Sequence, residues 1–275
     1  MIEKMKFSVL MSIYKKEEPK YFNRAMQSIW DEQTVKPDEI VLVQDGPLTD
    51  GLYKAIDEWK AKIGEVFKTV PLEKNVGLGD ALNAGIKHCS YELIARMDTD
   101  DISLPNRFEK QLKVFQNSDI DICSGWLSEF EDDETKIKSY KKLPENHDDI
   151  IRYAKVRCPI NHPTVMYKKS SVEKAGGYQK MMLMEDYYLW GRMIVKGARF
   201  YNIQDVLLNM RAGDSMIQRR AGMVYAKSEL RLLNEFKKIG FLTTGEYIKN
   251  LFIRVPIRFM PIGILKFAYG LLRSK

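Results

Sequence analysis

Three closely spaced aspartates, Asp98, Asp100 and Asp101, are the residues of this sequence best suited to chemistry. They follow directly after the short apolar run 93–97, which is typical of a buried strand in a parallel sheet. Ligands gather at the carboxyl ends of such strands. Neighbouring carboxylates repel one another, and Mg²⁺ or Mn²⁺ prefers oxygen ligands together with substrate phosphate. The spacing therefore favours a divalent-metal site that carries phosphate, whereas an acidic turn before a helix is the alternative.

The elements that must position these aspartates alternate between apolar runs and amphipathic segments. This alternation indicates βαβ units, and therefore an α/β fold with a mostly parallel sheet and helices on both faces. Strands are predicted at 7–13, 39–43, 67–72 and 93–97, with helices at 21–30, at 52–63 and within 75–88.

The pattern is less regular after the aspartates. Ser103 is expected to cap a helix that has its apolar stripe at 108–115. The charged segment 129–142 is expected to be a solvated hairpin or loop. Further strands are predicted at 120–125, 198–203 and 206–210.

Composition limits the classes of protein that fit. The 275 residues are 45% hydrophobic and carry 44 basic against 37 acidic side chains, a formal charge of +7 that suits an anionic partner. The three cysteines are odd in number and widely spaced, which indicates neither a disulfide framework nor a zinc site. Without a leader or an apolar run near 18 residues, a cytoplasmic protein is expected. Nucleic-acid binding is not expected, because no reader motif is present.

Side chains at the other predicted strand ends fit a nucleotide-sugar. Tyr14 ends the first strand, where its ring can stack on a base, and Asp45 ends the second, where its carboxylate can accept a hydrogen bond from a uracil N–H. Small residues at 75–79 and 81–85 let a backbone approach a ligand closely. Each feature also has a structural alternative: a core edge for Tyr14, a turn for Asp45 and tight helix–strand packing for the glycines.

The order and spacing of six short motifs extend this pattern over about residues 5–215. Through them the chain resembles the family 2 inverting glycosyltransferases of the GT-A (Rossmann-like) fold, above all the bacterial enzymes that build capsule, exopolysaccharide or O-antigen. The motifs stand at 8–14, at 44–46, at 75–77 with 83–85, at 96–101, at 162–164 and at 185–190.

The resemblance implies a role for each matching residue. Tyr14 would stack on uracil and Asp45 would bind its edge. Asp98 would contact the ribose, and Asp100 would hold Mn²⁺ or Mg²⁺ against the diphosphate. Asp186 would be the general base that activates the acceptor hydroxyl. Further donor contacts are implied for Asn75, Gly77 and Asn83.

Three more residues are candidate contacts to acceptor or diphosphate: His162, Glu185 and Arg211. Each has a structural alternative. His162 could be a structural histidine beside a proline, Glu185 a charge that complements the helix dipole, and Arg211 a solvated arginine. Related enzymes often carry a histidine near Arg211 as a metal ligand. This chain lacks one there, and Asp214 is only a weak substitute.

The implied reaction moves a sugar from a UDP-sugar to a saccharide acceptor, in lipid-linked form, by a single inverting displacement. The implied organisation is a nucleotide-sugar-binding half at 1–110, an acceptor-binding half at 111–215 and a C-terminal helical extension at 216–275. A haloacid-dehalogenase-type phosphatase that uses the aspartates, and a non-catalytic membrane-surface module, are the alternatives.

The C-terminal extension is basic and amphipathic. Residues 219–238 predict a basic helix, and residues 252–275 mix large apolar side chains with arginine and lysine. Such a segment fits an anionic lipid surface, here the inner face of the plasma membrane. A helix packed on the domain with its cationic face in water has the same pattern, so both alternatives stay open.

Overall fold

The structure, a computed structural model, describes residues 5–212 and 222–260, together with Gly263. Its strands are β1 (Phe7–Ile13), β2 (Glu39–Gln44), β3 (Phe67–Pro71), β4 (Leu93–Met97), β5 (Ile102–Ser103), β6 (Ile122–Phe130), β7 (Ser139–Lys141), β8 (Met166–Lys168) and β9 (Phe200–Arg211). Its α-helices are α1 (Pro19–Trp30), α2 (Asp50–Ile63), α3 (Leu78–His88), α4 (Arg107–Asn117), α5 (His147–Ala154), α6 (Lys169–Lys174), α7 (Glu185–Val195), α8 (Gly222–Lys238) and α9 (Thr244–Arg254). Short 3₁₀ turns lie at Gly64–Val66, His162–Thr164 and Pro256–Phe259.

All of the described strands join one sheet in the order β3-β2-β1-β4-β8-β6-β9-β5, with β7 paired to β6. The first four strands are parallel, whereas β8 runs antiparallel to both β4 and β6. Because β2 and β4 flank β1, the strand order reverses at β1. In an open α/β sheet, such a reversal leaves a crevice for ligands at the carboxyl ends of the strands.

Helices cover both faces of the sheet, as the sequence predicts. Apolar side chains of α1, α2 and α4 pack on one face, and those of α3, α6 and α7 pack on the other. Gly85 in α3 shows how close this packing is, because a Cβ there would lie 2.3 Å from Leu10 Cδ1. Gly85 is therefore a packing glycine, which is the structural alternative given above.

Three local predictions are corrected by the structure. Ser103 lies in β5 and does not cap α4, because its N–H donates to Ser28 Oγ (3.0 Å) inside the core. The hairpin predicted within 129–142 is confirmed, because β7 pairs antiparallel with β6, but its first strand is not solvated. Glu129 is buried and accepts a hydrogen bond from Ser139 Oγ (2.6 Å) in β7. The two strands predicted near 198–210 are one strand, β9, whose register against β6 shifts at Trp126.

The described part of the C-terminal extension packs on the domain. Helices α8 and α9 share an apolar cluster with α7, in which a Cβ added at Gly191 would lie 2.3 Å from Phe236 Cε1. The remainder of the predicted tail lies outside the described residues. Across residues 5–212 and 222–260, no helix has both the length and the hydrophobicity that a membrane crossing requires.

Candidate active site

The carboxyl ends of β1, β2 and β4 bring three predicted site residues to one edge of the sheet. Tyr14 follows β1 and is exposed, and the N–H of Asp45 donates to Ile13 O (2.8 Å) at the same edge. Met97, just before Asp98, is paired with Met11 of β1. The structure thus brings Tyr14, Asp45 and Asp98 to neighbouring strand ends.

Asp45 organises the loop that precedes α3. Its buried carboxylate accepts hydrogen bonds from Asn75 Nδ2 (2.9 Å), from the N–H of Val76 (2.7 Å) and from the N–H of Gly77 (3.1 Å). Gly46 permits this approach, because its φ is +85° and a Cβ there would lie 2.6 Å from Asn75 N. Asn75 and Gly77 are therefore held beside Asp45 at the predicted donor site.

Asn83 connects α3 to the turn that precedes α7. Its Nδ2 donates to Tyr178 O (2.7 Å), and the Tyr178 N–H donates to its Oδ1 (2.8 Å). Gly177 in this turn has φ +64°, and a Cβ there would lie 2.7 Å from Asn83 Oδ1. The structure thus gives Asn83 a structural role in addition to the predicted donor contact.

A buried arginine pair supports the aspartates from inside. Arg96 is 2% exposed, and its guanidinium forms an ion pair with the Asp98 carboxylate through two nitrogens. The carbonyl of Arg96 accepts a hydrogen bond from Arg107 Nη2 (2.7 Å). Burial, together with the nearby Arg96 charge, lowers the pKa of Arg107 to about 9. Sequence reasoning missed this pair, although an arginine inside the apolar run 93–97 was a visible signal.

Asp100 lies in a local excess of negative charge. Burial, and then the charge of Asp98, raise the pKa of Asp100 to about 6. Burial, and then the charges of Asp100 and Asp98, raise the pKa of Glu17 to about 7. The charges of the two aspartates thus act on Glu17, and sequence reasoning missed this residue. Its signal was its position in the turn after β1, three residues beyond Tyr14.

These carboxylates fit a divalent cation. Their mutual repulsion favours a bound positive charge, and carboxylate oxygens are the ligands that Mg²⁺ and Mn²⁺ prefer. No group of three or more His, Cys, Asp or Glu side chains among the described residues is arranged to hold a metal by itself. One or two carboxylates, completed by substrate phosphate and water, are the usual arrangement for Mg²⁺.

Arg211 is fixed beside Asp100 and is not a solvated strand end. Its guanidinium lies 4.0 Å from the Tyr21 ring centroid and 4.6 Å from that of Phe130. Its Nε donates to Asp100 O (3.3 Å), and its backbone N–H donates to the buried carboxylate of Asp101 (2.9 Å). Burial and the charges of the neighbouring aspartates raise the pKa of Asp101 well above its usual range. Asp214, the weak metal candidate, lies outside the described residues.

His162 lies between the arginine pair and the turn before α7. Its Nε2 is 2.8 Å from the Tyr178 hydroxyl, and its ring packs edge-on against Trp190 at 5.9 Å. Burial, and then the charge of Arg96, lower the pKa of His162 well below its usual range. His162 is therefore a neutral hydrogen-bonding group near neutral pH.

Glu185 and Asp186 form the first turn of α7, which meets the first turn of α3. A Cβ added at Gly79 of α3 would lie 3.5 Å from Glu185 Cγ. Oδ2 of Asp186 lies 3.9 Å from Cys158 Sγ. Burial, and then the charges of Asp186 and Asp98 against the opposing effect of Arg96, raise the pKa of Tyr178. The pKa of Tyr178 thus responds to the charge of Asp98, at the end of β4, and to that of Asp186, at the start of α7.

An open α/β sheet binds its ligand at the carboxyl ends of the strands beside the switch point, and Asp45 and Asp98 lie at such ends here, as in nucleotide-binding α/β enzymes. Residues 8–176 match the family described as Glycosyl transferase family 2, and the chain belongs to this family. It is 41% identical over 266 residues to the amylovoran biosynthesis glycosyltransferase AmsE of Erwinia amylovora, covering 96% of this chain and 97% of that protein. It is 39% identical over 265 residues to the UDP-Gal:alpha-D-GlcNAc-diphosphoundecaprenol beta-1,3-galactosyltransferase of Escherichia coli, covering 96% and 95%.

Solved structures confirm the GT-A fold. A mannosyltransferase from Pyrobaculum calidifontis in complex with GDP-Man and Mn²⁺ superposes with a TM-score of 0.67 at 15% identity, covering 100% of this chain and 77% of that one. S. aureus TarS 1–349 in complex with UDP-GlcNAc superposes with a TM-score of 0.67 at 18% identity, covering 92% and 72%. The family match and the two relatives at about 40% identity show that the protein is a glycosyltransferase, so the phosphatase and non-catalytic alternatives are wrong.

Proposed function

We propose that this protein is a metal-dependent inverting glycosyltransferase that uses a UDP-sugar in the synthesis of a bacterial surface polysaccharide. One observation carries the proposal: the first turn of α7, which contains Asp186, packs against the first turn of α3, and the loop that precedes α3 is held by Asp45 at the end of β2. The names of two relatives, one for amylovoran biosynthesis and one for a UDP-Gal donor, support the donor and the pathway.

The donor binds at the ends of β1, β2 and β4. Tyr14 stacks on the uracil, Asp45 binds its edge beside the 75–77 loop, and Asp98 contacts the ribose. Asp100 holds Mn²⁺ or Mg²⁺, and the bound cation supplies the positive charge that stabilises the departing diphosphate. The Arg211 guanidinium, fixed beside Asp100, adds a second positive charge near the diphosphate.

Asp186 takes the proton from the acceptor hydroxyl while that oxygen attacks the anomeric carbon. The new glycosidic C–O bond forms as the bond to the diphosphate oxygen breaks, and UDP departs. One displacement inverts the configuration, so a UDP-α-sugar gives a β-glycoside. Glu185 and His162 lie beside this position and contact the acceptor or the diphosphate.

The acceptor is a lipid-linked saccharide, and the protein works at the cytoplasmic face of the plasma membrane. The E. coli relative is named for an acceptor on diphosphoundecaprenol. The outer face of α9 and the following turn exposes Ile248, Ile253, Phe259 and Phe252, the last at 74% exposure. Exposed apolar surface of this kind marks an interaction site. Arg254 and Arg258 face inward, so this face binds lipid through apolar side chains more than through charge.

Donor hydrolysis and transfer would test the proposed function. The purified protein with Mn²⁺ or Mg²⁺ is offered UDP-glucose, UDP-galactose and their N-acetyl forms, with dTDP- and GDP-sugars for comparison. We expect UDP release from one UDP-sugar. Asp186→Asn should lower turnover by about 10²- to 10⁴-fold, the usual contribution of a positioned base, while UDP binding is retained. Asp148→Asn, in the first turn of α5, is the matched control. Full activity of Asp186→Asn, or activity with only dTDP- or GDP-sugars, would contradict the proposal.

Vesicle binding would test the membrane surface separately. The double variant Phe252→Ser with Ile253→Ser should bind vesicles that contain anionic phosphatidylglycerol more weakly than the wild type. Lys249→Ser, at an exposed position of the same helix, is the control and should bind nearly as well as the wild type. Equal vesicle binding by the double variant and the wild type would contradict the proposed membrane surface, but it would not bear on the proposed reaction.

A further inference from the structure

Tyr187, the residue after the proposed base, anchors the first turn of α7 to the C-terminal helices. Its buried hydroxyl donates to Ala154 O (2.7 Å) and accepts a hydrogen bond from Arg254 Nη1 (3.2 Å) of α9. Its ring meets the Phe236 ring of α8 edge-on at 5.1 Å. The residue adjacent to Asp186 is therefore held by contacts from three other helices.

Arg254 is in turn held by a carboxylate with no exposure to solvent. Glu229 of α8 is 0% exposed and forms an ion pair with Arg254. Its second oxygen accepts hydrogen bonds from Arg258 Nη2 (2.9 Å) and Nε (3.2 Å). Two arginines thus share one buried carboxylate. A buried ion pair often adds little to the free energy of unfolding, because removing both charges from water is costly. Its alternative role is to fix the relative positions of the groups that it joins.

Helix α9 also binds the segment 155–158, which contacts the Asp186 side chain. Asn250 of α9 donates from Nδ2 to Lys155 O (2.9 Å), one residue beyond the Ala154 carbonyl that Tyr187 binds. This segment continues to Cys158, whose Sγ lies 3.9 Å from Asp186 Oδ2. Helix α9 therefore binds both Tyr187, next to Asp186 in the chain, and the 155–158 segment that contacts the Asp186 side chain.

We propose that Arg254 is a positioning residue for the transfer reaction. Glu229 holds its guanidinium, and the guanidinium fixes the first turn of α7 through the Tyr187 hydroxyl, which sets the direction of the Asp186 carboxylate toward the acceptor. The inference rests on the proposed function, because it takes Asp186 to be the base. A displacement of about 1 Å at a reacting group can cost on the order of 10²-fold in rate, so a remote anchor can control turnover.

Arg254 and Arg258 form a matched pair for the experiment. Each binds Glu229, but among the described contacts only Arg254 reaches Tyr187. Arg254→Met and Arg258→Met each leave Glu229 with one arginine and should lower the thermal unfolding temperature by similar amounts. We expect Arg254→Met alone to lower kcat, by about 10- to 100-fold, with the KM for the UDP-sugar unchanged. Arg254→Lys should restore part of the rate, because it keeps a donor near Tyr187.

A double-mutant cycle would test the route of the effect. Tyr187→Phe also removes the hydrogen bond to Ala154 O, so its kcat loss should be at least that of Arg254→Met. The combined variant should lose little more than Tyr187→Phe alone, because both changes remove the hydrogen bond between Arg254 and Tyr187. Equal kcat values in Arg254→Met and Arg258→Met, or additive losses in the cycle, would overturn the inference. Asp186→Asn is assayed in parallel. Full activity of that variant would contradict the assignment of Asp186 as the base. This outcome can be told apart from a failure of the Arg254 inference, in which Asp186→Asn is inactive but Arg254→Met keeps its kcat.

Discussion

The proposed donor side and the proposed acceptor side of this enzyme hold their carboxylates in different ways. On the donor side the partners come from nearby strands and the loops that follow them: Asp45 is held by the 75–77 loop, and Asp98 by Arg96 two residues earlier. On the acceptor side the turn that carries Asp186 is held through Tyr187 by Arg254, 67 residues away in the chain.

This difference separates two kinds of control. Contacts on the donor side hold Asp45 and Asp98, which are proposed to bind the nucleotide, so their loss should raise the KM for the UDP-sugar. Asp100 is the exception on this side, because its proposed metal acts on the departing diphosphate and therefore on turnover. Contacts on the acceptor side fix the proposed base, so their loss should lower kcat. The four predictions below test whether binding and turnover divide along this line.

The largest expected effect is on the proposed metal site. Asp100→Asn removes one negative charge and replaces one carboxylate oxygen by an amide nitrogen, which cannot bind a cation. A Lewis acid contributes several kcal/mol of transition-state stabilisation, so we expect turnover to fall by about 10³-fold, with UDP protection against thermal unfolding no longer dependent on Mn²⁺.

Asp119→Asn, at an exposed carboxylate after α4, is the control for this metal prediction. Chelation of divalent cations should lower the turnover of the wild type to that of Asp100→Asn. Full activity after chelation would contradict the proposed metal dependence.

The second prediction concerns the donor loop. Asp45→Ala leaves the amides of Val76 and Gly77 and the Asn75 side chain without their acceptor. A hydrogen bond to a charged group contributes about 1.5–3 kcal/mol, so the free energy of unfolding should fall by that order. Steady-state kinetics should show a raised KM for the UDP-sugar with kcat nearly kept. A fall in kcat at unchanged KM would break the proposed division between the two sides.

The donor side is also the part that the sequence predicts better. Its strands and helices follow from apolar periodicity, and Asp45 and Asp98 follow directly from strand ends. The contact between Tyr187 and Arg254 has no sequence signal, because it joins distant residues through packing of α7, α8 and α9. The basic pattern of the C-terminal extension was misleading for a related reason. Arg254 and Arg258 read as surface charges, yet Glu229 binds both inside the protein.

The third prediction uses two close-packed glycines, one on each side. A Cβ would lie 2.3 Å from Leu10 Cδ1 at Gly85 and 2.3 Å from Phe236 Cε1 at Gly191. Overpacking of this kind costs about 1–3 kcal/mol, partly offset by the better helix propensity of alanine, about 1 kcal/mol. Both alanine variants should unfold at lower denaturant concentration. Only Gly191→Ala should also lower kcat, because it pushes α7 away from α8. Equal kcat values would show that α7 tolerates the shift.

The smallest expected effect is at Gly245, in the first turn of α9, where an added Cβ would have no heavy atom within 4 Å. Gly245→Ala should raise the free energy of unfolding by about 0.5 kcal/mol, since alanine loses less backbone entropy in a helix than glycine does. Because Arg254 and Asn250 keep their contacts, kcat and KM should not change. Gly245→Ala therefore separates two explanations of how α9 controls kcat. If it alters kcat, the general stability of α9 controls the base; if it does not, control passes through the specific contact between Arg254 and Tyr187.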